Sequence, residues 1–294
     1  MELGFARVYF LPPGRLDTWC ARAKESGFGA ELPYDIAAAY PRAGCVALCI
    51  YPYLPYADGE RIPAYYINSN RAYRAAKALV TQLNAEGIRC EYAFFPYRAL
   101  AYACGVGDIG KNGLLHLTPY GSRIVLQALA IEGLAPLAYD ETERCCPPGC
   151  DACARACPSG AISDKGLDVA RCIRAQMEGA LRSDGVKRLL SCHVGCERCM
   201  LACPFNAALP ENEPDAQARE AFELRRLILG DASAARKLVG RNMTSSGKLI
   251  AEAIVFAARQ GLYEDEIRAA LSSPFEAVRD AAAWALDNNF QNQL

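Results

Sequence analysis

The sequence predicts an α/β first half, a cysteine-rich middle of ferredoxin-like type and a short α-helical, HEAT-like tail. Three observations carry this. Apolar runs alternate with helix-periodic stretches over residues 1–140. Ten of the 15 cysteines fall between Cys145 and Cys203, and none follows. Residues 209–294 are rich in Ala, Leu, Arg and Glu. The expected zones are therefore 1–140, 141–208 and 209–294, and a length of 294 residues allows two or three domains at about 100–200 residues each.

In the first zone, Cys45-Val-Ala-Leu-Cys-Ile-Tyr51 is a short apolar run, the pattern of a buried strand. Ala72 to Glu86 has helical spacing, with Gly87 placed to cap it. Ile124 to Ile131 reads as a second strand. Between them lies a glycine loop, Gly105-Val-Gly-Asp-Ile-Gly-Lys-Asn-Gly113. The middle zone has little apolar periodicity, so bound metal must supply much of its folding energy. In the tail, Ser273-Pro-Phe opens a helix whose apolar positions are Val278, Ala282, Ala285 and Leu286. Ile267 to Leu271 belongs to the preceding helix. The two make one helical-repeat hairpin, which must pack on the rest of the chain.

The cysteines define the chemistry. Cys146-Pro-Pro-Gly-Cys-Asp-Ala-Cys-Ala-Arg-Ala-Cys157-Pro and Cys192-His-Val-Gly-Cys-Glu-Arg-Cys-Met-Leu-Ala-Cys203-Pro are an internal repeat. A tight loop with this spacing brings three thiolates to one [4Fe–4S] cubane. The fourth cysteine, just before proline, serves the neighbouring cluster. Two such runs exchange their last cysteines, so Cys203 completes a cluster with Cys150 and Cys153, and Cys157 one with Cys196 and Cys199. Structural zinc uses four ligands in longer-spaced pairs and has no need of two such runs. Ten cysteines for eight positions leave two spare. Cys146 is preferred to Cys145 for the first cluster. The repeat favours Cys192 over Cys172 for the second.

Composition narrows the classes further. Lys plus Arg is 32 and Asp plus Glu is 33, so no global field draws the chain to nucleic acid or membrane. No apolar stretch reaches the roughly 18–20 residues of a membrane span. The first residues lack the basic and apolar regions of a signal peptide. The expectation is a cytoplasmic protein, where this many cysteines fit metal chemistry better than disulfides.

The cysteine zone, with Leu167-Asp-Val-Ala-Arg-Cys172 and Gly195-Cys-Glu-Arg-Cys-Met-Leu-Ala-Cys-Pro-Phe-Asn206, resembles the double-cluster domain of epoxyqueuosine reductases. Ala103 to Leu115 with Pro119-Tyr-Gly-Ser-Arg123 is similar to that family's glycine loop, and Tyr40 to Tyr53 to its first core strand. The resemblance implies a cobalamin-binding first domain, two clusters beside it and a reduction at the corrin cobalt. It implies that Cys172 ligates the second cluster in place of Cys192. It also implies a flavodoxin or ferredoxin as electron donor, and a substrate that is either tRNA or a small molecule. Gly105, Gly107, Gly110, Lys111 and Asn112 are then the residues expected to approach the corrin or its nucleotide tail. A tight turn is the plainer reading of those glycines, and a dinucleotide site fits them poorly.

Departures accompany the likeness. The family's glycine-loop tryptophan is Asp108 here, and its Asp-Tyr-His segment reads Ala72-Tyr73-Arg74. Its catalytic aspartate falls near Cys90-Glu-Tyr-Ala-Phe-Phe-Pro96, where Glu91 is the available acid. Tyr65, Tyr66 and Tyr73 are alternative proton donors, although packing is the more ordinary role for such tyrosines. His193 lies inside the second cysteine run, and His116 reads as a core residue. Cys104 reads as a small buried filler. Arg225, Arg226, Arg236, Lys237 and Arg241 are the candidates for a basic, tRNA-facing surface. The rival function is an electron-transfer or corrinoid-reducing protein without substrate chemistry of its own.

Overall fold

A computed structural model describes residues 3–26, 29–57, 62, 64–141, 145–177, 183–190, 192 and 194–288. The first half contains β1 (Arg7–Leu11), α1 (Asp17–Ser26), α2 (Ile36–Ala39), β2 (Ala43–Pro52), α3 (Ala64–Ala85), β3 (Cys90–Ala93) and α4 (Tyr97–Ala103). It continues with β4 (Asp108–Ile109), β5 (Leu115–His116) and β6 (Ile124–Glu132). Strands β1, β2, β6 and β3 form one sheet in that order, with every neighbouring pair antiparallel.

The continuous apolar run in β2 follows from a sheet covered on both faces. Val46, Leu48 and Ile50 face a core with Tyr9, Leu11, Phe95 and Leu100. Cys45, Ala47 and Cys49 face α3, where they pack with Ala76 and with Leu129 of β6. Alternation into polar residues appears only where one face is wet, so this antiparallel strand carries the signature of a fully buried one. Helix α3 starts eight residues before the periodic stretch at Ala72, because Tyr66 and Ile67 extend its buried face. It ends at Gly87, whose φ of +87° suits a residue without Cβ.

The cysteine segment holds α5 (Ala152–Ala156), a hairpin of β7 (Ile162–Ser163) and β8 (Gly166–Leu167), then α6 (Ile173–Met177), α7 (Asp184–Leu189) and α8 (Arg198–Leu201). The tail runs through α9 (Ala216–Ala221), α10 (Leu224–Ile228), α11 (Ser233–Val239), α12 (Arg241–Thr244), α13 (Lys248–Ala258), α14 (Glu264–Ala269) and α15 (Glu276–Asp287). The expected helix pair is α14 and α15, and α15 buries Val278, Ala281, Ala282, Trp284 and Ala285. They do not stand as a single hairpin on the body. They pack with α13, which buries every residue from Leu249 to Ala258. Ile173, Met177, Val186, Leu190, Val194 and Met200 join the same core, together with Tyr66 and Ile67 of α3.

One charge is caught in that core. Glu252 on α13 is 2% exposed, and its Oε2 has no hydrogen-bond partner among the described residues. Burial pushes its carboxyl up to about 8, against weaker opposing effects of Arg174 and Lys248. A carboxyl raised above its unfolded value stabilises fully below pH ~4.5 and loses that contribution as pH climbs through the folded value. Glu252→Gln is therefore expected to raise the melting temperature at pH 8.5 by more than it does at pH 6, as anaerobic calorimetry at the two pH values would check.

Candidate metal centre

Two sets of four thiols converge. The charged neighbours of Cys153 are Cys146, Cys203 and Cys150, and those of Cys203 are Cys146 and Cys150. Cys199 is surrounded by Cys196, Cys172, Cys153 and Cys157, and Cys196 faces Cys172 and Cys157. The last cysteine of each run thus reaches the other run's set. Burial pushes Cys199 up to about 12 and raises Cys153, Cys196 and Cys203. Such thiols lose their protons readily only to a bound metal.

Backbone N–H groups converge on the sulfurs, as a cluster's electron-rich ligands require. Lys111 N–H points at Cys146 Sγ at 3.5 Å, and Ala161 N–H at Cys157 Sγ at 3.3 Å. Phe205 and Asn206 donate to Cys203, and Arg198 to Cys196. Burial alone would raise the Cys157 thiol, but Ser159 Oγ and the N–H groups of Ala161, Ser159 and Ile162 bring it below its ordinary value. Among the described residues, no three His, Cys, Asp or Glu side chains gather to hold a single metal ion. A cubane takes its thiolates at four separate irons rather than at one point. The donor set and its N–H shell fit two such clusters.

The two spare cysteines have other contacts. Cys192 is buried, and its thiol donates to the Gly195 carbonyl in its own loop. Cys145 is buried against Cys146 at 4.0 Å between sulfurs, and its N–H donates to Asp108 Oδ2 at 3.0 Å. Asp108, the residue standing in the tryptophan position, thereby ties the glycine loop to the start of the cysteine segment. His193 lies outside the described residues.

The glycine loop packs against protein. A Cβ on Gly105 would strike the Tyr139 carbonyl, and one on Gly107 would lie 2.5 Å from the His116 carbonyl. One on Gly110 would meet Asn112 Oδ1 at 3.0 Å. Asn112 is buried and caps Leu114 N–H at 3.1 Å. Lys111 Nζ donates to the Cys150 carbonyl at 2.9 Å and to Asp164 at 2.6 Å. Within the described residues, Gly105, Gly107 and Gly110 approach Tyr139, His116 and Asn112. His116 is buried as expected, but its Nδ1 has no partner among the described residues. Burial lowers its pKa to about 4, so it is neutral at pH 7.

Beside the second thiol set lies a cluster of arginines and tyrosines. Arg98, on α4, is solvent-exposed and donates to the Gly113 carbonyl; Tyr65, Arg174, Cys172 and Tyr34 are its neighbours. Arg98 pairs with no carboxylate among the described residues. Arg174 lies over the Tyr66 ring at 4.9 Å, and Tyr66 meets Tyr65 edge-on at 5.4 Å. Tyr97 OH donates to the Ala93 carbonyl at 2.8 Å and lies 3.2 Å from Tyr92 OH, which donates to Gln127 at 2.7 Å. Burial, then its tyrosine neighbours, raise Tyr97 far above the usual phenol range. Glu91 stands exposed on β3, opposite Ala130. Sequence reasoning passed over Arg98 and Arg123, whose signal was a guanidinium set within an apolar stretch.

The candidate basic surface divides. Arg225 pairs with Glu266 at 2.6 Å, and Arg226 with Glu220 and Asp231, each at 2.7 Å. Arg236, Lys237 and Arg241 are exposed and unpaired among the described residues. They adjoin Arg74 on α3, whose guanidinium donates to the Lys237 carbonyl at 3.1 Å. Lys77 and the exposed Tyr73 continue this ridge along α3. No helix among the described residues is long and apolar enough to cross a membrane.

Neither a family model nor a curated protein sequence matches the chain. Solved structures do. Epoxyqueuosine reductase from Streptococcus thermophilus superposes with a TM-score of 0.75 at 18% identity, covering 98% of this chain and 87% of that one. The Bacillus subtilis epoxyqueuosine reductase gives 0.71 at 21%, covering 97% and 86%. An epoxyqueuosine reductase with an epoxyqueuosine-modified tRNA-Tyr stem loop gives 0.75 at 20%, covering 97% and 86%. The chain has the mixed α/β fold of these reductases.

Proposed function

We propose that this chain is an oxidoreductase carrying two [4Fe–4S] clusters, which passes electrons to a corrin cobalt and on to a substrate. Cys146, Cys150, Cys153 and Cys203 would hold cluster one. Cys157, Cys172, Cys196 and Cys199 would hold cluster two. The observation that carries the reading is the mutual approach of these two thiol sets, each completed by a cysteine from the other run. The glycine loop of Gly105, Gly107, Gly110, Lys111 and Asn112 then serves cluster one through Lys111, rather than the corrin. A reducing compartment such as the cytoplasm would keep all these thiols available.

The arginine and tyrosine cluster beside Cys172 is the proposed cobalamin and substrate site. A flat macrocycle bearing amides and a phosphate tail suits its tyrosine faces and its cationic lining of Arg98 and Arg174. A corrin cobalt bound there would supply a low-potential reductant, charged through the clusters. Arg98 would hold an anionic group of the ligand. Glu91 is the proposed proton donor, and Tyr97, held protonated beside Tyr65, is the alternative. A flavodoxin or ferredoxin would deliver electrons to cluster one. The test is titration of anaerobically reconstituted protein with cob(II)alamin. Stoichiometric binding with a base-off EPR signal is expected. No binding with both clusters intact would leave an electron carrier in its place.

The basic ridge favours tRNA over a small molecule as substrate. Exposed Arg74, Lys77, Arg236, Lys237 and Arg241, with Tyr73 among them, offer phosphate contacts and a stacking face. Reversing Arg236, Lys237 and Arg241 to Glu is expected to weaken binding of a tRNA stem loop. It should also flatten the plot of log affinity against log salt by roughly 1 per lost contact. Unchanged affinity and slope would point to a small-molecule substrate.

A further inference from the structure

The second cysteine loop is fixed to the sheet by a buried ion pair. Arg123, just before β6, is 3% exposed and Glu197 13%, with 2.9 Å between them. Glu197 stands between Cys196 and Cys199, so its carboxylate belongs to the loop that would carry cluster two. Around this pair the joint is polar. Ser122 N–H donates to Asn206 Oδ1 at 2.8 Å, and Asn206 Nδ2 to Ser122 Oγ at 2.9 Å and to the Met200 carbonyl at 2.9 Å. Tyr53 N–H donates to the Arg123 carbonyl at 3.0 Å. Arg123 Nε and Tyr53 OH are buried without hydrogen-bond partners among the described residues. The guanidinium is therefore committed to Glu197 and to no other carboxylate.

A buried carboxylate next to a cluster opposes the arrival of an electron, because reduction adds negative charge in a poorly screened place. A guanidinium is always charged, and its planar fork is pre-organised to meet a carboxylate. We propose that Arg123 is a positioning residue for cluster two. Locked on Glu197, it cancels the loop's buried negative charge and seats the loop on the sheet, so that the second cluster accepts an electron more readily than the loop alone would allow. This rests on the two-cluster reading above.

The test is an EPR-monitored redox titration with dithionite on the full chain, anaerobically reconstituted, with iron counted for each sample. Glu197→Gln leaves Arg123 charged and unopposed, and should raise the potential of one cluster only. Arg123→Gln should shift that same potential the other way. The double variant should return it toward wild type, a sign reversal that lost packing would not produce. Removing one partner of a buried pair can itself be costly. If Arg123→Gln fails to hold its second cluster, the Glu197→Gln and double variants decide. Unmoved potentials in fully loaded protein, or a double variant shifted as far as Glu197→Gln, overturn the inference alone. A wild-type chain without iron–sulfur signals overturns the cluster reading and the inference with it.

Discussion

Replacing Cys172 with alanine is expected to lower bound iron from about eight to about four atoms per chain, the loss of one cubane. Replacing Cys192 or Cys145 should leave it near eight. The ground for the difference is orientation. Cys172 is among the charged neighbours of both Cys196 and Cys199, whereas the Cys192 thiol donates to the carbonyl of Gly195. The exchange of fourth ligands makes a second, less obvious expectation. Cys157 sits in the first run, yet Cys157→Ala should remove the same EPR signal as Cys196→Ala. Cys203→Ala should remove the other. Iron and sulfide analysis with EPR on the six single variants would check the whole pattern. Equal losses from Cys172→Ala and Cys192→Ala would break the assignment.

The cysteine runs were legible because their geometry is local. Spacings of two and three residues around a glycine determine where thiols can point, and the proline after Cys157 and Cys203 marks the turn outward. At Cys192 the same local logic meets a competing contact. The repeat aligns it with Cys146, but the matching Gly195 has a φ of +73° and its carbonyl captures the thiol. Cys172 enters from a separate element, after the β7–β8 hairpin, and nothing local predicts its approach. The strands and α3 were legible from their apolar patterns. The joint was not, because Arg123 and Glu197 are 74 residues apart in sequence. Arg98 was hidden for a related reason: in the sequence it is one arginine among alanines and tyrosines, and only folding places it beside Cys172. The glycine loop was legible as a feature, but its contacts within the protein were not, since Tyr139, His116 and Cys146 reach it from three different segments.

Removing both clusters should unfold one part of the molecule and spare another. Helices α5 to α8 are four to six residues long, and β7 and β8 have two residues each. Isolated helices shorter than about 12–15 residues are marginal in water, so this segment depends on metal and on the core it shares. Without iron the tethers at Cys157, Cys172, Cys196 and Cys199 are lost, and burial of their uncharged thiols replaces them poorly. Ile173, Met177, Val186, Leu190, Val194 and Met200 then no longer hold one wall of the core built on α13. The two cores flanking β2 contain no residue from this segment. Hydrogen exchange of the apo-protein should therefore lose protection over residues 173–200 and along α13, while Val46 to Ile50 stay protected. A loss of even ~2 kcal/mol from the helical core would lower its melting temperature by roughly 8–16 °C for a unit of about 100 residues. A single transition, unchanged on iron removal, would mean that the cysteine segment folds without its clusters.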